Sequence, residues 1–152
     1  MKIFNATTKD VEQMHQLIKI YADKGIVLPR SLSSIYQHLQ CMYTVKDQGK
    51  VVGVAGLHVL GKDLAEIRSI VVDPEYQNNG IGSMLVNHII MESSKLKVER
   101  LLSLTYEVDF FMKHGFSIVQ KENLPEKIWI DCLSCPKFNQ CDEIAMIKYL
   151  TE

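Results

Sequence analysis

Between two valines and a run of apolar residues at helical spacing, the chain reads Asp73-Pro74-Glu75-Tyr76-Gln77-Asn78-Asn79-Gly80-Ile81-Gly82-Ser83. The chemistry such a stretch offers is anion binding. The first backbone N–H groups of a helix have no partner within it and carry the positive end of its dipole. Glycines at 80 and 82 let phosphate oxygens reach those donors without meeting a Cβ, and Gln77, Asn78 and Asn79 add neutral polar groups at the rim. Asn-Gly and Gly-x-Gly also build ordinary strand-to-helix turns, so these residues alone leave both readings open. Two other phosphate motifs are excluded. No Gly-Lys-Ser/Thr follows, as a Walker loop requires, and position 85 is Leu where a dinucleotide fingerprint needs its third Gly.

Other residues have reactive potential. Arg30 follows the rigid Pro29, and a guanidinium grips a carboxylate in a planar fork. The plain alternative is a solvent-facing arginine at a helix start. Arg68, Lys127 and Lys137 are further cations that spacing does not separate from surface charge. Glu66 alternates onto the strand face of Arg68, where it is either a general base or a solvated side chain. Cys132, Cys135 and Cys141 form C-x2-C-x5-C, one thiolate short of a closed zinc site. Cys41, Asp142 or His114 completes it only if the fold brings one close, and buried thiols account for the cysteines equally well, so no metal is assigned. The five histidines show no H-x-x-H spacing. His88 and Trp129 read as packing residues.

These groups need elements to hold them. Thr8 can cap a helix through Val11, Met14, Leu17, Ile18 and Tyr21, with Gly25 ending it. A short second helix places Leu32, Ile35, Tyr36 and Leu39 on one face. From Met42 the period becomes strand-like, with a hairpin turn at Gln48-Gly49 and with Gly53 and Gly56 allowing close backbone approach. Residues 64–72 form a third strand. Ile81, Met84, Leu85, His88 and Ile89 mark an amphipathic helix, and 100–105 is a fourth strand. A short helix runs from Val108 to His114 and ends at Gly115. Residues 116–120 are extended, and 143–150 read as a closing strand, with helix the alternative. No repeat or linker divides 1–152, which reads as a single α/β (α+β) domain.

The segment "IVVDPEYQNNGIGSMLVNHII" resembles the coenzyme motif Gln/Arg-x-x-Gly-x-Gly/Ala of the GNAT superfamily of N-acetyltransferases, with Gln77, Gly80 and Gly82 on its fixed positions. "FFMKHGF" (110–116) resembles the second signature of that family. The resemblance implies a mostly antiparallel central sheet with two splayed parallel strands, flanked by helices. It implies acetyl-CoA as acyl donor, with pantetheine along Ile70, Val71 and Val72 and the diphosphate on Gln77, Asn78, Asn79, Gly80, Ile81, Gly82 and Ser83. "LPRS", "LAEIRSIVV" and "LPEKIW" are similar to the acetyltransferase domain of the N-acetylglutamate synthases. That likeness implies an amino-acid substrate held by Arg30 with the backbone of Leu28 and Ser69, and Glu66 as base. Where many relatives carry a thiolate-protonating Tyr, this chain has Phe111, beside the coenzyme, so Thr105, Tyr106 or water supplies the proton. The alternatives are another small amine as substrate, or a non-catalytic acetyl-CoA-binding module. The chain leaves no room for the arginine-binding domain of the longer synthases.

A net charge of −1 gives no general field for nucleic acid or an anionic membrane. No apolar run reaches the roughly 18 residues that span a bilayer. The expectation is a cytoplasmic enzyme binding small molecules, with a homodimer possible.

Overall fold

The structure, a computed structural model, describes residues 1–124 and 142–150. Cys132, Cys135, Cys141, Lys127, Lys137 and Trp129 lie outside the described residues. The elements are β1 (Lys2–Asn5), α1 (Val11–Ala22), α2 (Leu32–Gln37), β2 (Met42–Asp47), β3 (Lys50–Gly61), β4 (Leu64–Val72), α3 (Ile81–Lys95), β5 (Arg100–Thr105), α4 (Val108–Lys113), β6 (Ser117–Val119) and β7 (Ile144–Tyr149). Among the described residues the strands form a seven-stranded sheet in the order β1-β2-β3-β4-β5-β7-β6. The fold is the mixed, mostly antiparallel one that the element order implies. The chain divides into two compact units, Met1–Leu57 with Ile67–Met91, and His58–Glu66 with the chain from Glu92 onward.

In the first unit, β1 is a strand that residues 2–5 do not announce. It exists because Lys2 to Asn5 find antiparallel partners from Lys46 to Tyr43. Neither helix start is capped by Thr8: Thr7 caps a 3-10 turn over Thr8–Asp10, and Asp10 is the N-cap of α1. Asp10 closes a 3-10 turn by accepting from the Thr7 N–H (2.8 Å) and hydroxyl (3.2 Å). Val11, Met14, Leu17 and Ile18 then bury against Ile35, Met42, Val51, Val54 and Val71. Ser31 caps α2 by accepting from the Ser34 N–H (3.0 Å). Of its expected apolar face, Ile35 is buried and Leu39 partly so, while Leu32 and Tyr36 are 42% and 49% exposed. The face is narrower than its spacing suggests, because six residues turn only Ile35 fully inward.

The β2–β3 hairpin turns at Gln48 and Gly49, both with positive φ (51° and 83°), the pairing a tight primed turn demands. Gly53 on β3 lets α3 lie close. A Cβ there would stand 2.7 Å from Ile81 Cγ2 and 3.2 Å from Leu85 Cδ1.

In the second unit, Leu64–Glu66 of β4 pair in parallel with Arg100–Leu102 of β5. β7 is a strand, not a helix, and inserts between β5 and β6, antiparallel to both. Leu60, Leu64, Leu102, Leu124, Ala145 and Ile147 form the core of this unit.

Candidate functional site

The stretch after β4 is held at almost every residue. The Asp73 N–H donates to Val52 O (2.8 Å), its carboxylate accepts from the Glu75 N–H (2.9 Å), and Pro74 starts a 3-10 turn over Pro74–Tyr76. The Tyr76 hydroxyl donates to Asp47 Oδ2 (2.9 Å), and Lys50 Nζ lies 3.4 Å from Asp73 Oδ2. Asn79 Nδ2 donates to Tyr76 O (3.2 Å). Asn78 and Gly80 then take positive φ, 66° and 78°. The hydrogen-bond ladder of α3 opens with Met84 N–H to Gly80 C=O (3.0 Å), which places the amides of Ile81, Gly82 and Ser83 ahead of it.

A diphosphate fits this turn. Gly80 is exposed, its φ suits only glycine without strain, and a Cβ built there meets nothing within 4 Å. Open space therefore lies over donors that carry the positive end of a helix of 15 residues. The Gln77 side chain is engaged within the protein instead: its Nε2 donates to Tyr21 Oη (2.8 Å) and Val72 O (3.3 Å). Ile70 and Val72 are half-buried, whereas the Val71 side chain belongs to the core, so only its backbone is offered to a ligand.

The first unit also gathers cations. Arg30, in the segment between α1 and α2, donates from Nε to Ser34 Oγ (3.1 Å) and from Nη1 to Ser69 Oγ (3.0 Å). Burial, then the charge of Arg68, press its guanidinium below the ordinary arginine range, with Cys41 opposing them. Two guanidinium groups that feel each other in a half-buried place favour an anion between them. Burial pushes the Cys41 thiol up, against the opposing pull of Arg30, a backbone hydrogen bond and Arg68, so it is a thiol rather than a thiolate nucleophile. Its Sγ donates to His38 O (3.1 Å). Ser69 itself sits at φ 55° inside β4, a left-handed residue in a strand. That conformation costs about 1–2 kcal/mol for a residue with a Cβ, and no residue type near it announces the kink. Leu28 is 42% exposed in the same segment as Arg30.

The second unit holds the other candidates. Glu66 is buried at the last parallel rung of β4, opposite Leu102, so it is not a solvated strand residue. Thr105 ends β5, and its Oγ1 accepts from the Glu107 N–H (2.7 Å), shaping the entry to α4. The half-exposed Tyr106 donates its hydroxyl proton to Asp142 Oδ1 (2.5 Å). Phe111 is 2% exposed and meets Phe110 and Phe116 edge to face, each at 5.1 Å. The ring is part of the core. Among the described residues no group of three or more His, Cys, Asp or Glu can hold a metal ion. None of the described helices is long and apolar enough to cross a membrane.

Residues 9–116 match the acetyltransferase (GNAT) family, to which this chain belongs. It is an N-acetyltransferase that uses acetyl-CoA as acyl donor. The chain is 38% identical over 146 residues to an uncharacterized N-acetyltransferase of Chlorobaculum tepidum, covering 96% of this chain and 94% of that one. It is likewise 38% identical over 118 residues to an amino-acid acetyltransferase of Mycobacterium tuberculosis, covering 76% and 67% of the two chains. Among solved structures, Rv2747 of Mycobacterium tuberculosis in complex with CoA and NLQ superposes with a TM-score of 0.88 at 31% identity, over 99% of this chain and all of that one. The N-acetylglutamate synthase of Neisseria gonorrhoeae, complexed with coenzyme A and N-acetyl-glutamate, gives 0.90 at 26% identity, over 99% of this chain and 35% of that one.

Proposed function

We propose that this chain acts as one catalytic domain that acetylates the α-amine of an acidic amino acid, L-glutamate foremost, in the cytoplasm and toward arginine biosynthesis. The observation that carries this reading is Arg30, a half-buried guanidinium fixed by the hydroxyls of Ser34 and Ser69 and lying within the field of Arg68. An anion with two carboxylates suits two such cations. The likeness to a synthase structure solved with coenzyme A and N-acetyl-glutamate supports the choice.

Acetyl-CoA supplies an acetyl group activated as a thioester. The amides from Gly80 to Ser83 grip its diphosphate, and the backbone of Ile70 and Val72 aligns its arm. Arg30, with the backbone of Leu28 and Ser69, holds the substrate carboxylate so that the amine faces the thioester. Glu66, three residues before Ser69 along β4, accepts the amine proton directly or through water. Backbone N–H of Ile70 or Val71 meets the carbonyl oxygen as negative charge develops on it. The new C–N bond forms as the C–S bond breaks, and the departing thiolate takes a proton from Thr105, Tyr106 or water. The one proton of the Tyr106 hydroxyl is engaged by Asp142, so it reaches the thiolate only after that hydrogen bond breaks.

The test is release of free thiol from acetyl-CoA, screened over the twenty amino acids. Glutamate is expected to give the highest kcat/KM. Arg30→Ala should raise its KM by about 10- to 150-fold, the worth of one charge-assisted hydrogen bond, and leave acetyl-CoA affinity unchanged. Unaltered glutamate turnover in that variant would remove the substrate assignment.

A further inference from the structure

We infer that Tyr21 is a positioning residue for coenzyme binding: its hydroxyl locks the end of β4 to the diphosphate turn. The inference rests on the coenzyme reading of that turn. Tyr21 lies in the last turn of α1, 51 residues from Val72 and 56 from Gln77. Its hydroxyl donates to Val72 O at 2.6 Å and accepts from Gln77 Nε2 at 2.8 Å, while Nε2 also donates to Val72 O at 3.3 Å. The three groups form a closed ring, with the 3.3 Å contact its weakest side. The phenol's one proton goes to Val72 O, and a single N–H of Gln77 Nε2 is shared between Tyr21 Oη and Val72 O, since the two N–H bonds diverge too widely to serve one partner each.

Two consequences follow. The Val72 carbonyl oxygen accepts chiefly from the Tyr21 hydroxyl, with a weaker share of the Gln77 amide. The end of β4 is thereby tied through its carbonyl to the side chains of Tyr21 and Gln77. The segment from Val72 to Gln77 is also fixed at both ends by one side chain, three residues ahead of Gly80. Burial raises the Tyr21 hydroxyl above the ordinary phenol value, the Gln77 bond pulls it down, and Asp73 raises it again, so the ring persists across neutral pH. Ordering a turn before the ligand arrives removes that cost from binding. The sequence motif places Gln77 at the coenzyme; the geometry gives its amide to Tyr21.

The experiment measures coenzyme A affinity by calorimetry for the parent, Tyr21→Phe, Gln77→Leu and the double variant, with thiol-release kinetics and thermal midpoints alongside. Each single variant is expected to weaken coenzyme A about five- to tenfold, the effect of one net hydrogen bond. The double variant should be little weaker than the worse single one, because both break the same ring. The rate at saturating acetyl-CoA and the amino-acid KM should stay within about twofold of the parent. Parent-like affinity in Tyr21→Phe, or fully additive losses, would overturn the inference, as would a loss that strikes kcat and both KM values together with the midpoint. Gln77 is exposed, so Gln77→Leu tests the same ring should Tyr21→Phe fold poorly. A parent that binds no coenzyme A would instead overturn the coenzyme reading itself.

Discussion

Gly80 is where the coenzyme reading meets its sharpest test. Its φ of 78° disfavours every residue with a Cβ by about 1–2 kcal/mol, yet a Cβ there touches nothing within 4 Å. Asn tolerates left-handed backbone, so Gly80→Asn should fold with a small loss of stability and remove only the bare approach to the helix amides. Gly80→Asp has the same shape but adds a negative charge. At a separation of roughly 6 Å and an effective dielectric of about 20 to 80, a unit charge repels another by about 0.7 to 3 kcal/mol. Coenzyme A should therefore bind about 3- to 150-fold more weakly to the Asp variant than to the Asn variant, and added salt should narrow the gap. Calorimetric titration of both proteins at two ionic strengths, with thermal midpoints to confirm equal folding, gives the ratio. Equal affinities in Asn and Asp variants at low salt would mean that no phosphate sits over this turn.

Other expectations test the frame around it. Gly53→Ala forces a methyl to 2.7 Å from Ile81 Cγ2, a buried group on the first turn of α3, and should cost about 1–3 kcal/mol in chemical denaturation. Asp10→Asn should destabilise by about 2–4 kcal/mol, since Lys46 Nζ at 2.9 Å loses its carboxylate. Burial alone would raise the Asp10 carboxyl, but Lys46 and Thr7 outweigh it and hold it below 3.8. Its stabilisation is therefore complete above that value and is lost as pH falls below it, a loss that Asp10→Asn should lack in acid unfolding curves. Glu66→Gln should lower kcat by about 10²- to 10⁴-fold with coenzyme A affinity unchanged; a smaller loss would remove Glu66 from proton transfer.

What could be read from the linear chain was local. Pro74, the Asn78-Gly80 stretch and the helix spacing from Ile81 place a turn and a helix start through the steric preferences of a few adjacent residues. The Gln48-Gly49 hairpin and the seams of α1 and α3 follow for the same reason. What lay beyond reach depended on partners distant in sequence. Residues 2–5 are a strand only because β2 offers an edge, and Thr7 rather than Thr8 caps the 3-10 turn ahead of α1 because Asp10 turns back to it. Arg30 is 39 residues from the serine that fixes it, and Ser69 holds a left-handed backbone that no neighbouring residue demands. Gln77 carries a motif glutamine whose amide belongs to Tyr21, and Phe111 fills a core. Backbone sterics act over a few bonds and can be read in order; a side chain's hydrogen-bond partner is chosen only when the strands are in register and burial makes an unmet donor or acceptor costly.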